Sequence, residues 1–320
     1  LVGDEPLLRP EPLADLLDRQ AREAAACLLG TAEIADPKGF GRILRDAAGR
    51  FLRIVEERDC TSEEKAIREV NPSCYVFELP VLWEALDQIG TSNAQGEYYL
   101  TDAPERLTTM GRKVVALNVL QADDVLGVNT RQHLAQAGAI MQARIQDHWM
   151  TEGVTIVDPR NTHIDGRATI GPDTIILPFS VIGGPVTIGA NCRVGPFAHL
   201  RPGTELADGV EVGAFVEIAR SKLEGGTVAR HLSYLGDAEV GRNVNIGCGA
   251  ITANFDGSRK HATRIGDDAR IGAGAVMVAP VEIGRAAVLG AGAVVTRRSD
   301  VADGATVVGV PARPLKPPRD

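Results

Sequence analysis

From Ile164 to Ile218 an aliphatic residue occupies every sixth position: Ile164, Ile170, Ile176, Ile182, Ile188, Val194, Leu200, Leu206, Val212 and Ile218. That spacing fits neither the repeat of an α-helix nor the alternation of a hairpin sheet. It is the period of a β-helix in which each six-residue step forms one flat side of a coil. Three sides close a triangular turn of about eighteen residues, and the sixth-position side chains stack inward as one continuous core. Each buried aliphatic contributes roughly 1.5–3 kcal/mol, so the ladder is first a structural signal. Function has to be sought in the residues that interrupt it.

The ladder resets after Ile218 and resumes at Leu235, Val240 and Ile246. It breaks from Asn254 to Arg264, then returns at Ile265, Ile271, Met277, Ile283, Leu289 and Val295. The break is polar and irregular, so it is expected to loop out, and loops extruded from a rigid solenoid are where binding residues collect. From Val307 onward prolines and basic residues predict a non-helical tail. The region before the ladder alternates helical and strand patterns. Helices are expected over Pro10 to about Ala25, Pro80 to Ile89 and Ala103 to Met110. A hairpin is expected over Gly39–Glu57, turning at Asp46-Ala-Ala-Gly49, and a strand over Lys113–Leu120. The longest helix is predicted from Thr130 to about Gly153, with Leu134, Gly138, Met141, Ile145 and Trp149 on one face. The resulting division is an α/β domain over 1–130, a linker helix over 131–153 and a β-helix with its tail over 154–320.

Composition narrows the function classes. The 35 glycines and 4% aromatic content suit narrow coil corners with aliphatic filling, and the net charge of −8 disfavours nucleic-acid partners. No apolar run approaches a membrane span and no signal peptide leads the chain. Five scattered cysteines, with no CxxC, read as reduced cytosolic thiols, so a cytoplasmic location is expected. The opening Leu1-Val-Gly-Asp4 has no initiator Met and reads as a domain entered partway.

Polar residues crowd the middle of the ladder: Arg201, Glu217, Arg220, Lys222, Arg230, His231, Tyr234, Asn245, Asn254 and Lys260. Cations gathered on an acidic protein point to an anionic ligand, a phosphate above all. His231 is suited to taking a proton from a nucleophile, with a carboxylate such as Glu217 to orient its ring. The plainer readings compete: a histidine on a coil face is commonly a surface residue, and arginines at corners are usually solvated. His133, His148, His163, His199 and His261 receive that structural reading.

Several segments carry a family resemblance: Gly195-Pro-Phe-Ala-His-Leu-Arg-Pro-Gly203, Gly213-Ala-Phe-Val-Glu-Ile218, His231-Leu-Ser-Tyr-Leu-Gly-Asp237, Asn243-Val-Asn-Ile-Gly247 and Ile251-Thr-Ala-Asn-Phe-Asp-Gly257. So do Gly3-Asp-Glu-Pro-Leu-Leu8, Asp36-Pro-Lys-Gly-Phe-Gly-Arg42, Ile54-Val-Glu-Glu57, Asn93–Asp102 and Gly127-Val-Asn-Thr-Arg131. Over nearly its whole length the chain resembles the bifunctional bacterial N-acetylglucosamine-1-phosphate uridyltransferase/glucosamine-1-phosphate acetyltransferase family. The implied fold is a partial, Rossmann-like α/β nucleotidyltransferase domain followed by an all-β left-handed parallel β-helix, assembled as a homotrimer with active sites between subunits. The resemblance implies His231 as general base on the amine of glucosamine 1-phosphate, assisted by Glu217 and Asn254, with acetyl-CoA as cosubstrate. Arg201, Tyr234, Asn245 and Lys260 match sugar-phosphate binders. The backbone N–H of Cys248 matches the oxyanion donor, and Ala273 and Ala291 border the coenzyme A arm. Arg297, Arg298, Arg313 and Lys316 are candidates for its phosphates.

In the first domain, Asp4 and Asn129 match a magnesium pair, and Gly41, Glu56 and Asn71 match N-acetylglucosamine contacts. Three departures stand out. A family lysine aligns with Ala219, beside Arg220 and Arg230 as substitutes; a family serine aligns with Ala273; Asn71 is followed by Pro72-Ser73 where the family has Thr-Gly. The ladder before Arg201 is also about one coil short. The glycine-rich loop that cradles a triphosphate in this family does not occur in the chain, so uridyl transfer from UTP with Mg2+ is not expected of it, and is expected of a full-length protein only if that loop is encoded upstream of Leu1. Half a parallel sheet is expected there, with an exposed edge. Two other readings are a hexapeptide acyltransferase for a different amino sugar and a non-catalytic regulatory β-helix. A metal hydratase is disfavoured, since only His199 and His231 lie well inside the ladder.

Overall fold

The computed structural model describes residues 1–315, and these divide into two compact units, one over Leu1–Ile140 and one formed by the described residues from Met141 on. The first unit holds helix α1 (Pro10–Glu23), strands β1 (Cys27–Glu33), β2 (Gly41–Arg45), β3 (Phe51–Val55) and β4 (Glu69–Phe77), helices α2 (Leu79–Leu86) and α3 (Ala103–Thr109), and strand β5 (Val114–Leu120). Helix α1 begins with Pro10, whose fixed φ and missing N–H cost nothing in the first turn. It ends where Ala24 turns left-handed at φ 47°. The β2–β3 hairpin closes as its turn residues predict, with the Asp46 carboxylate accepting the backbone N–H groups of Ala48 and Arg50.

The sheet order is β3-β2-β4-β1-β5. Only β1 and β5 run parallel; β1–β4, β4–β2 and β2–β3 are antiparallel. The expected half of a parallel sheet is therefore corrected to a mixed sheet. The two strands that set this order, β1 and β4, carry no usable period. All of β1 except Glu33 is buried, so it reads as a plain apolar run. Strand β4 is bent at Pro72-Ser73, where its pairing with β1 shifts register opposite Gly30 and Ala32. Ser73 is left-handed there at φ 57°, a conformation that favours glycine and suits the family's Thr-Gly at this place. Both faces of the sheet are covered. Leu16 of α1 packs with Leu28, Val70 and Leu120, and Val81, Ala85 and Leu107 of α2 and α3 pack with Ile43 and Ile54 on the other side.

Helix α4 (Arg131–Thr151) runs across the division between the units. Of its predicted apolar face, Ile145 and Trp149 pack against the solenoid core, whereas Leu134 and Met141 remain exposed. The buried positions are Ala137 and Gln146. Polar side chains do the work at this end of the solenoid. Gln142 donates to the Ile164 carbonyl at 2.8 Å and accepts its N–H at 2.9 Å, and Gln146 donates to the Thr162 carbonyl at 2.7 Å. Those amides satisfy the backbone edge of the lowest ladder strand, which otherwise would be an open template for pairing.

The second unit is a left-handed parallel β-helix of about eight turns. Among the described residues its three sheets have eight, seven and ten strands, the last ending in Thr306–Val308 and Arg313–Pro314. All ten members of the ladder from Ile164 to Ile218 are buried. Leu200 pairs with Ile218, a step of eighteen, but Ile218 pairs with Leu235, a step of seventeen. The reset is thus a one-residue shortening, and Leu223 and Ala229 are the inward residues that fill it. Val240 pairs with Ile265, twenty-five residues on; the surplus is the predicted extrusion, a small hairpin closed by the Phe255–Lys260 bridge. The tail does more than the sequence predicts, because Val307 and Val308 pair antiparallel with Pro314 and Arg313. Lys316 lies outside the described residues.

Stacked this way, core truncation should be felt locally but strongly. Leu200→Ala should lower the unfolding free energy by about 2–5 kcal/mol in chemical denaturation. Its outward neighbour, replaced as His199→Ala, should cost less than about 0.5 kcal/mol. Equal losses at the two positions would contradict the inward stacking.

Candidate active site on the β-helix

Parallel pairing places outward residues in columns. On one sheet His199, Glu217, Tyr234 and Ile251 stand at successive levels. Arg201, just past the first of these strands, donates to the Glu217 carboxylate at 2.8 Å. Both side chains are largely exposed, so the pair contributes little stability and is free to exchange for an anionic ligand.

The next corner is more tightly built. Arg220, left-handed at φ 48°, grips Asp237 through two bonds of 2.7 and 2.9 Å, and the Asn254 amide donates to the same carboxylate. The Arg220 guanidinium, with help from Asn254 and the charge of Lys260, holds the Asp237 carboxyl below the usual carboxylate range. This corner closes over Gly236. A Cβ there would collide with the Tyr234 hydroxyl and lie 2.6 Å from the Asn254 amide nitrogen, so glycine is what lets those two groups converge. Tyr234, Asn254 and Lys260 are thereby brought together, and Asp237 joins them although the sequence reading gave it no role.

His231 ends the strand Val228–His231 on the adjoining sheet and is exposed. It pairs with Ala214 one level down. The corner residues of successive coils follow: the Gly249 N–H donates to the His231 carbonyl, Gly274 to that of Cys248, and Gly292 to that of Ala273. His231, Cys248, Ala273 and Ala291 therefore form a single file up one edge of the solenoid. Cys248 carries the exposed thiol of five free cysteines. Asn245 is outward on the same sheet, one level above Val228. A cleft of about 240 Å³ opens beside the imidazole, lined by Arg193, Glu211, Gly213, Arg230 and His231. Its cationic wall is partly neutralised, since Arg230 is paired with Glu211 at 2.7 Å.

Two features of the sequence reading look different in three dimensions. Among the described residues no hydrogen bond joins His231 to Glu217 or Asn254; those groups sit round the corner, engaged by Arg201 and Asp237. Ala219, where the family has a lysine, is fully buried, and neither neighbouring cation replaces it freely, because Arg220 and Arg230 are held by Asp237 and Glu211. A larger cleft, about 870 Å³, lies on the third sheet among Lys222, Glu239, Arg264 and Glu282. It is away from the histidine, and its charges already satisfy one another, Arg264 bridging Glu239 and Glu282.

In the first unit two further groups of predicted residues converge. Gly41 pairs with Asn71, and a Cβ on Gly41 would stand 3.4 Å from a Glu56 carboxylate oxygen and 3.6 Å from the Asn71 Cβ. Asp4 and Asn129 both border Gly127, at 3.9 and 3.7 Å from its would-be Cβ. Burial, and then the charge of Asp4, push the neighbouring Glu5 carboxyl up to about 7. Among the described residues no group of three or more His, Cys, Asp or Glu side chains converges that could by itself hold a metal ion.

The chain is similar to known proteins over most of its length. The bacterial transferase hexapeptide family (six repeats) matches residues 167–201, 185–220 and 262–297. Bifunctional protein GlmU of Halalkalibacterium halodurans is 42% identical over 329 residues, covering 92% of this chain and 72% of its own length. That of Heliobacterium modesticaldum is 43% identical over 341 residues, covering 96% and 74%. Among solved structures, the Arabidopsis UDP-N-acetylglucosamine acyltransferase matches with a TM-score of 0.39 and 15% identity, over 51% of this chain and 72% of its own. On the extent and level of identity to the GlmU proteins, the chain belongs to the bifunctional GlmU family.

Proposed function

We propose that the β-helix transfers the acetyl group of acetyl-CoA to the amine of glucosamine 1-phosphate, the step that supplies N-acetylglucosamine 1-phosphate for UDP-N-acetylglucosamine synthesis. The observation that carries this reading is the exposed His231, in file with Cys248, Ala273 and Ala291 and one corner from Tyr234, Asn254 and Lys260. His231 takes a proton as the amine nitrogen attacks the thioester carbonyl carbon. The backbone N–H of Cys248 donates to the oxyanion that forms. Collapse breaks the carbon–sulfur bond, and the departing thiolate takes from the imidazolium the proton that the amine gave up. Arg201, Tyr234, Asn245 and Lys260 hold the sugar phosphate, while the narrow corners at Ala273 and Ala291 leave room for the pantetheine arm.

The site is completed by other copies of the chain. Phe179, Phe197 and Phe215, all exposed, stack along one edge with ring centroids 4.8 and 5.0 Å apart. Leu232, also exposed, continues the row beside His231. Such a continuous apolar edge suits burial against a neighbouring coil in a homotrimer. In the first unit, Gly41, Glu56 and Asn71 suit an N-acetylglucosamine moiety. Asp4 and Asn129 suit Mg2+, which would neutralise phosphate charge. Among the described residues no helix is long and apolar enough to cross a membrane, and dependence on acetyl-CoA supports a cytoplasmic setting. Buried Ala219 favours a second reading in one respect, a looser grip on the phosphate, so other amino-sugar phosphates belong in the same assay.

His231→Ala should lower kcat for acetyl transfer by roughly 10²–10⁴-fold in steady-state assays, the usual loss when a general base is removed. A regulatory β-helix would leave any residual transfer unchanged. Phe197→Asp should shift the protein from trimer toward monomer in light scattering, with acetyl transfer lost in parallel; an unchanged mass would contradict the assembly. With UTP, N-acetylglucosamine 1-phosphate and Mg2+, pyrophosphate release by this chain should stay at background, and turnover would refute the sequence expectation.

A further inference from the structure

The extruded hairpin carries Asn254 at its base and Lys260 in the bridge to Phe255 that closes it, so whatever holds the hairpin also aims those groups. Its base is fastened by the Asp237 carboxylate and by the His261 N–H, which donates to the Asn254 carbonyl at 2.8 Å. Its tip is folded round a second carboxylate. One oxygen of Asp256 accepts the backbone N–H groups of Ser258 at 2.9 Å and Arg259 at 2.7 Å, and the Ser258 hydroxyl at 3.0 Å. The other oxygen meets the His261 ring at 2.7 Å and the Arg297 guanidinium at 3.3 Å. Arg297 does not belong to the hairpin. It follows the strand Val294–Val295 of a later coil and is itself steadied by donating to the Ala279 carbonyl at 3.2 Å. The Arg259 and Ser258 amides, with the His261 ring, hold the Asp256 carboxyl well below the usual carboxylate range, so the anionic anchor persists across the neutral range.

We infer that Arg297 and Asp256 form a strut from the last coils to the extruded hairpin, and that they are positioning residues for the sugar phosphate rather than contacts for coenzyme A. The physical reason is reach. An inserted loop of this length has only its two ends fixed by the solenoid, and without a third fastening Lys260 would sample many positions. A guanidinium bound to a rigid carbonyl on one side and a loop carboxylate on the other supplies that fastening with defined direction. It also occupies a cation that tail composition alone assigns to coenzyme phosphates. The inference rests on the assignment of Asn254 and Lys260 to glucosamine 1-phosphate.

The test compares the full chain with Arg297→Gln, Arg297→Lys and Asp256→Asn in steady-state acetyl transfer, with peptide-level hydrogen exchange over the hairpin. Arg297→Gln should raise KM for glucosamine 1-phosphate about 5–20-fold, while kcat and KM for acetyl-CoA move less than about threefold. Arg297→Lys, which keeps a donor for Asp256, should recover most of that loss, and Asp256→Asn should fall between. Exchange at the Ser258 and Arg259 amides should quicken in Arg297→Gln, with melting temperature unchanged because Arg297 lies outside the core. A raised KM for acetyl-CoA with an unchanged sugar KM would overturn the inference, as would unchanged hairpin exchange. If the wild-type chain transferred no acetyl group, the functional reading would fail, yet the exchange comparison would still judge the strut.

Discussion

The inward stacking of one aliphatic at every coil side fixes everything else in the second unit. Each strand is two to four residues long and would be worthless alone; it persists because its inward residue is buried by the coils above and below. Once that register is set, outward residues have no freedom of level. Glu217 must stand above His199 and below Tyr234, and Cys248 must follow His231. The chemistry is thus assembled by residues far apart in sequence whose spacing is dictated by the core.

The site occurs where the stacking departs from its own rule. Below Ile218 the coils advance by eighteen residues and one file of corners bears phenylalanine, at Phe179, Phe197 and Phe215. Above it two successive coils lose a residue, and a hairpin is inserted before the ladder recovers. Shortening brings the Arg220–Asp237 corner against Gly236 and the base of the hairpin, and the insertion delivers Lys260 over it. From Gly249 upward the corner position once held by phenylalanine is glycine: Gly249, Gly274 and Gly292, all with positive φ. A single edge of the solenoid is therefore apolar below the histidine and bare above it.

Much of the architecture was legible in the chain because it rests on strict periods and turn chemistry. The ladder, the Asp46–Gly49 hairpin and the Pro10 start of α1 are local signals, and the structure bears them out. The mixed sheet was not legible. Strand β1 is buried on both faces and shows no alternation, and β4 contains a proline that argues against a strand until its bulge is seen. The face of α4 was misjudged because glutamine amides, not a full apolar stripe, seal the end of the solenoid. At the site, the residue types pointed to a phosphate, but columns cannot be drawn without knowing which coils have seventeen residues. That is why Asp237 and Asp256, ordinary acidic residues in a polar stretch, passed unnoticed as the hubs of two networks.

The corner file also bears on how such a protein tolerates change in length. Because each coil touches only its immediate neighbours, removing one complete turn below Arg201 would slide the lower drums of the column together without tilting the level on which His231 sits. The chemistry reads only the storeys directly above and below it. Deleting a single residue in those lower coils, by contrast, has to be absorbed at a corner if the later outward groups are to keep their files, as happens at the two shortened levels. Whole-turn economy is free in this architecture, whereas fractional economy reshapes a corner, and the protein has used it to build its binding corner.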